Sequence, residues 1–155
     1  MRRNDREIVD QKKIEAFIAQ EQILRVAFND EGDIYIVPVN YGHVYADEKY
    51  SFYFHGAKAG RKYELSKNCP FVGFEIDGDY KLLKSETACN YSAAFQSVIG
   101  TGILRLVEDV DEKRKGLNAI MKQTTQKEEW DFDDAMLESV AVFKLDVDKI
   151  SCKAK

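Results

Sequence analysis

Two cations stand side by side at Arg61 and Lys62, directly after Gly60 and a few residues beyond an aromatic run that ends in His55. The run Tyr50 to His55 alternates Tyr50, Phe52 and Phe54 with Ser51, Tyr53 and His55, a period of two that predicts a strand. Gly56 and Gly60 bracket a short turn, and residues from Arg61 onward favour a helix that Asn68 and Pro70 end. The first backbone N–H groups of such a helix lack internal acceptors, and its dipole adds partial positive charge there. Two further cations in that turn are unfavourable for the helix itself, which suits an anion from outside the chain, above all a phosphate monoester. A solvated helix start that happens to carry two basic residues has the same sequence. The spacing is neither that of a Walker loop nor that of a dinucleotide-binding Gly-x-Gly-x-x-Gly turn.

The elements that must position this corner follow from periodicity. Ile8 to Gln20 predicts an amphipathic helix, Ile23 to Asn29 a first strand, and the polar turn after it a hairpin to Ile34. Ile34 to Val44 is apolar at most positions and carries Pro38, which cannot donate to a sheet ladder and so belongs at an edge or bulge. A ligand could lie along such an edge; a proline that blocks strand aggregation would look the same. Gly42, His43, Asp47 and Glu48 then read as a loop. Phe71 to Asp77 is a strand, Tyr80 to Tyr91 an irregular loop or a short strand pair, and Ser97 to Val107 a strand with a bulge or close neighbour at Gly100 and Gly102. Asp109 to Glu112 has capping-box spacing and opens a second amphipathic helix. A turn of helix within Trp130 to Ser139 and a last strand at Val140 to Val147 follow. About six strands with two or three helices favour an antiparallel barrel over a doubly wound sheet.

The chain has 155 residues, enough for one domain, and its 45% hydrophobic and 32% charged residues are those of an ordinary globular protein. The net charge of -4 disfavours nucleic acid as a partner. No run approaches membrane-spanning length and the Met1-Arg2-Arg3 opening has no apolar segment behind it, so the expectation is a cytoplasmic protein without membrane contact. Cys69, Cys89 and Cys152 offer neither a CxxC pair nor an even disulfide framework, and two histidines with no ligand spacing support no metal site.

The segments IVPVNYG (36–42), FYFHGAKAGRK (52–62), NCPFVGFEID (68–77) and FQSVIGTGILRLVED (95–109), in this order and with a helix after the last, resemble the FMN-binding split-barrel group of pyridoxamine phosphate oxidase-like proteins. The nitroimidazole-resistance branch is the most similar, down to the opening 1–7, and the resemblance spans nearly the whole chain as a single domain, 1–155. It implies a six-stranded antiparallel split barrel, mainly β with flanking helices, forming a homodimer with FMN in clefts between the subunits. By that similarity Arg61 and Lys62 hold the phosphate, with Gly56, Ala57 and Gly60 in the turn that presents them. Val37, Pro38, Val39 and Asn40 line the isoalloxazine ring, and Ser97 reaches the phosphate or ribityl chain. His55 stands near the flavin face where a small-molecule substrate binds.

The basic residues that true pyridoxamine phosphate oxidases carry near the C terminus are not seen in ISCKAK, which the reading places after the last strand, so a reductase role is the expectation rather than vitamin oxidation. Electrons would pass from NADH or NADPH through FMN to a small, nitroaromatic-type acceptor, with His55 as the proton donor or else as a structural histidine at a strand end. Tyr91, Phe95 and Trp130 read as lid residues or as core and dimer contacts, and the acidic residues 128–134 as a solvated face. A flavin, deazaflavin or haem carrier or sensor that turns nothing over is one alternative function, and an interaction domain with an empty cleft is the other.

Overall fold

The computed structural model describes residues 4–155; the basic opening 1–3 lies outside the described residues. After a short 3-10 turn come strand β1 (Glu7–Ile8), helix α1 (Gln11–Gln20), the hairpin β2 (Ile23–Asp30) and β3 (Asp33–Asn40), then β4 (Gly42–Ala46) and β5 (Lys49–Gly56). Helix α2 (Arg61–Asn68) follows β5. The second half contains β6 (Phe71–Leu83), β7 (Ser92–Val107), helices α3 (Val110–Thr125) and α4 (Asp134–Ser139), and β8 (Ala141–Ala154).

All strand pairs are antiparallel and form one sheet in the order β3-β2-β6-β7-β8-β5-β4, with β1 added on β8. The sheet curls until β3 lies against β5, but those two are not hydrogen-bonded neighbours, and the barrel is split there. Alternation decides which face goes in. Leu24, Val26 and Phe28, Val72, Phe74 and Ile76, Phe52 and Phe54, and Phe143 and Leu145 fill the interior. Helix α1 closes it with Ile14, Phe17 and Ile18. Its N-cap is Asp10, whose carboxylate accepts from Lys12 N at 3.0 Å, so the helix starts three residues later than its apolar pattern suggests.

Among the described residues eight strands form where about six were expected. The run 34–44 is two strands, because Tyr41 turns inward, is fully buried, and donates its hydroxyl to the carbonyl of Ile18 at 2.6 Å. The chain thereby leaves one end of the sheet, β3, and restarts at the other, β4, so His43 lies in a strand and not in a loop. Gly42 is required at this crossing: a Cβ there would sit inside the backbone of Ala119 in α3. The other additions are β1 and longer strands. Across a register shift between Gly78 and Lys81, with Asp79 at φ 56°, β6 and β7 continue as an arm whose Tyr80, Leu82, Leu83 and Tyr91 are exposed. The ISCKA segment, read as following the last strand, belongs to β8 and pairs with β7. The expected irregularity at Gly100 and Gly102 is present as a register shift between Thr101 and Gly102, and a Cβ on Gly100 would strike the ring of Phe74.

Outside the barrel, Tyr53 of β5 and Val142 of β8 are buried against Leu117 and Ile120 of α3 and Leu137 of α4, but the outer face at the other end of the sheet stays uncovered. Ile34 and Ile36 of β3, Phe71 of β6, and Ile99 and Ile103 of β7 are all exposed on one face of four adjacent strands. Among the described residues no helix is long and apolar enough to cross a membrane.

Candidate functional site

The corner between β5 and α2 is built by backbone conformation before any side chain acts. Gly60 adopts φ 96° and ψ 170°, a combination open essentially to glycine alone, although space is free where its Cβ would be. No side chain caps α2, so the first amides of the helix keep their unsatisfied N–H groups at this turn. The two cations then part company. Arg61 reaches the β2–β3 hairpin, where Nε and Nη2 bond the carboxylate of Asp30 at 2.8 and 2.6 Å, and its guanidinium lies 4.7 Å from the Tyr35 ring centroid. It is a strap holding the helix to the hairpin.

Lys62 folds inward. Its ammonium lies 5.4 and 5.3 Å from the ring centroids of Phe54 and Phe143 and donates to the carbonyl of His55 at 3.4 Å. Among the described residues no carboxylate pairs with it, and burial lowers its pKa below the ordinary lysine value. Gly56 makes the room: a Cβ there would stand 2.9 Å from Lys62 Nζ. A half-buried cation offered only one long neutral hydrogen bond keeps capacity for a charge-assisted bond.

His55 is the penultimate residue of β5, beside this cation. Partial burial of the ring, and then the Lys62 ammonium, push its imidazole below its ordinary pKa, although the residue as a whole is exposed. It borders a cleft of about 200 Å³ whose other walls include Leu117, Ile120 and Met121 of α3, Phe132, and Met136 of α4. The wall is apolar, and the imidazole is its one titratable group.

Of the β3 residues, Val39 is buried and Val37 half-buried, whereas Pro38 and Asn40 face outward, Asn40 donating to Gln22 O at 3.1 Å. β3 ends the sheet, so its edge away from β2 has no strand partner. Pro38 is three residues from Tyr35, roughly 10 Å along the strand from the Arg61 strap. The corner (Gly56, Ala57, Gly60, Arg61 and Lys62), His55 and the β3 edge thus lie around one end of the split. Ser97 does not join them: it sits on the outer face of β7, opposite Asp77 of β6 and Lys153 of β8.

Sequence reasoning missed the partners that come from afar. Asp30 and Tyr35 stand in a polar turn and a hairpin strand, and Met121, Phe132 and Met136 carry no signal beyond helical spacing. Nor do the aromatics first considered for a lid line the His55 cleft. Trp130 lies under Lys127 at 4.2 Å and its amide donates to Asn118, Tyr91 is on the exposed arm, and Phe95 pairs its backbone with Lys155. The acidic stretch is partly structural: Asp133 caps α4 and Asp134 pairs with Arg114.

An antiparallel barrel split between β3 and β5 is the architecture of the split-barrel class. Residues 10–154 match the sequence profile of the pyridoxamine 5'-phosphate oxidase family, and the chain belongs to that family. No curated protein matches it in sequence. Among solved structures, a candidate 5-nitroimidazole antibiotic resistance protein of Bacteroides thetaiotaomicron is 30% identical with a TM-score of 0.82, over 96% of this chain and 86% of that one. The flavocytochrome Anf3 of Azotobacter vinelandii (20% identity, TM-score 0.80, 100% and 72% covered) shares the fold. So does an FAD and heme binding protein of Mycobacterium smegmatis (14%, 0.83, 97% and 73%).

Proposed function

We propose that this protein is an FMN-dependent oxidoreductase of the nitroimidazole-resistance type, working as a homodimer with a flavin in each of two clefts between subunits. The observation that carries the proposal is Lys62, a half-buried ammonium that, among the described residues, has no carboxylate partner, at the uncapped start of α2. A phosphate monoester placed there would gain the cation and the free amides of the first helical turn together. Arg61 is not the second phosphate ligand in this reading. Its bond to Asp30 fixes α2 against the hairpin that carries the Pro38 edge, which would set the distance between phosphate and ring. Along that edge Val37 to Asn40 offer unpaired backbone groups for the polar rim of an isoalloxazine, and Pro38 removes one N–H that would otherwise invite another strand.

The bound flavin would supply hydride and electron transfer between a nicotinamide donor, NADH or NADPH, and a small acceptor. The chain's own part is to hold, orient and shield. The apolar cleft beside His55 excludes water from an acceptor of nitroaromatic size, and the imidazole, once it has taken up a proton from solvent, would pass it from a ring nitrogen to the reduced acceptor. The relative named for 5-nitroimidazole resistance supports this acceptor class. The uncovered Ile34, Ile36, Phe71, Ile99 and Ile103 face supports association of two copies. Ser97, on that same outer face, would meet a cofactor held by the second subunit.

The visible spectrum of the purified protein loaded with FMN tests the proposal. A flavin band bleached by NADH or NADPH and restored by a nitroaromatic acceptor is the expected result. A band that resists both donors would mark a carrier, and a protein that takes up no flavin would end the proposal.

A further inference from the structure

We infer that a second small-molecule site, separate from the α2 corner, lies in the cleft between α1, β4 and α3 and takes small organic ammonium ions. The cleft holds about 330 Å³ and is lined by Glu15, His43, Tyr45, Lys122 and Gln123 among others; none of its residues belongs to the corner or to the His55 cleft. Its polarity is fixed by one buried amide. Gln123 Nε2 donates to two backbone carbonyls, Ile18 O at 2.7 Å and Glu21 O at 2.8 Å, so this end of the side chain must be the NH₂. The Oε1 end then faces His43 Nδ1 at 2.8 Å and can only accept, which makes Nδ1 the protonated nitrogen of the ring. In the neutral imidazole the one remaining lone pair is on Nε2, an acceptor on a ring that walls the cleft.

The charges at the wall have the same bias. Glu15 is half-buried and, among the described residues, has no hydrogen-bond or ion-pair partner. Lys122, the cleft's cation, is committed to Glu128 at 2.8 Å. The cleft therefore presents an uncompensated carboxylate, an imidazole lone pair and the aromatic ring of Tyr45. These acceptors suit a ligand bearing N–H donors and positive charge, and the ring face adds cation–π attraction.

Titration with n-butylammonium, followed by amide shifts in ¹H–¹⁵N spectra and matched in ionic strength against sodium butyrate, tests this site. Saturating shifts confined to residues 15–19, 42–46 and 119–126 are expected with butylammonium and absent with butyrate. Glu15→Gln should weaken the binding by about tenfold or more, as loss of a charge-assisted bond does, while Glu48→Gln and Lys62→Ala leave it unchanged. His43→Phe, which keeps a ring but removes the lone pair, should weaken it as well; where that variant does not fold, Glu15→Gln decides alone. Failure to saturate, shifts scattered over surface carboxylates, or unchanged affinity in Glu15→Gln overturns the inference. Lys62→Ala tests the flavin site independently of all these outcomes.

Discussion

Replacing Lys62 by alanine should cost flavin binding far more than it costs folding. In the free protein the ammonium is half-buried over Phe54 and Phe143 with one 3.4 Å bond to a carbonyl, so its removal breaks no ion pair and relieves a desolvated charge. The thermal midpoint should stay within a few degrees. With a phosphate present, the same ammonium makes a charge-assisted bond of roughly 1.5–3 kcal/mol, and its loss weakens FMN by about 10- to 150-fold. Quenching of flavin fluorescence gives the affinity directly, and riboflavin, which lacks the phosphate, is the control that should be indifferent to the substitution. The lowered pKa adds a signature. Burial favours the neutral amine, so FMN affinity should fall with rising pH, beginning below the ordinary lysine pKa of about 10.4, and this limb should be missing for riboflavin. Equal FMN affinity in wild type and Lys62→Ala would refute the reasoning.

Three further outcomes follow from the same structure. Gly60→Ala should destabilise by about 1–3 kcal/mol, because alanine is strained at φ 96° and ψ 170° even though nothing obstructs its Cβ; a melting curve matching wild type would contradict this. His55→Gln should lower nitroaromatic turnover by about 10²- to 10⁴-fold with FMN affinity within a few-fold of wild type, and undiminished turnover would leave His55 a structural role. Glu112 is held below its ordinary pKa by its 2.5 Å bond to Arg105, and Asp146, despite burial, is held low by Lys144 and Ser51. Their stabilisation is present above the ordinary carboxylate range and is lost as pH falls through the depressed values, so Arg105→Met, at a cost on the order of 1 kcal/mol, should move acid unfolding to higher pH; an unmoved acid midpoint would discount the network.

What the sequence disclosed was local. The aromatic alternation of 50–55 became β5, and Asp109 capped the following helix by accepting from Glu112 N at 2.8 Å, because both signals act within a few residues. The corner was legible for the same reason: glycine, cations and helix start are adjacent in the chain. Its division of labour was not. Arg61 is occupied by Asp30, thirty-one positions away, and no local pattern separates a paired arginine from a waiting lysine. Likewise the break at Tyr41 depends on a hydroxyl reaching α1, so an unbroken apolar run concealed two strands at opposite ends of the sheet. The cleft beside His55 needs α3, α4 and β5 brought together, which is a tertiary fact.

The most direct measurement is a crystal structure of the protein soaked with FMN. The account predicts the phosphate within hydrogen-bonding distance of Lys62 Nζ and the first amides of α2, with the ring along the edge of Val37 to Asn40 and Arg61 still bound to Asp30. A phosphate seated elsewhere, with Lys62 left on its two aromatic rings, would contradict it.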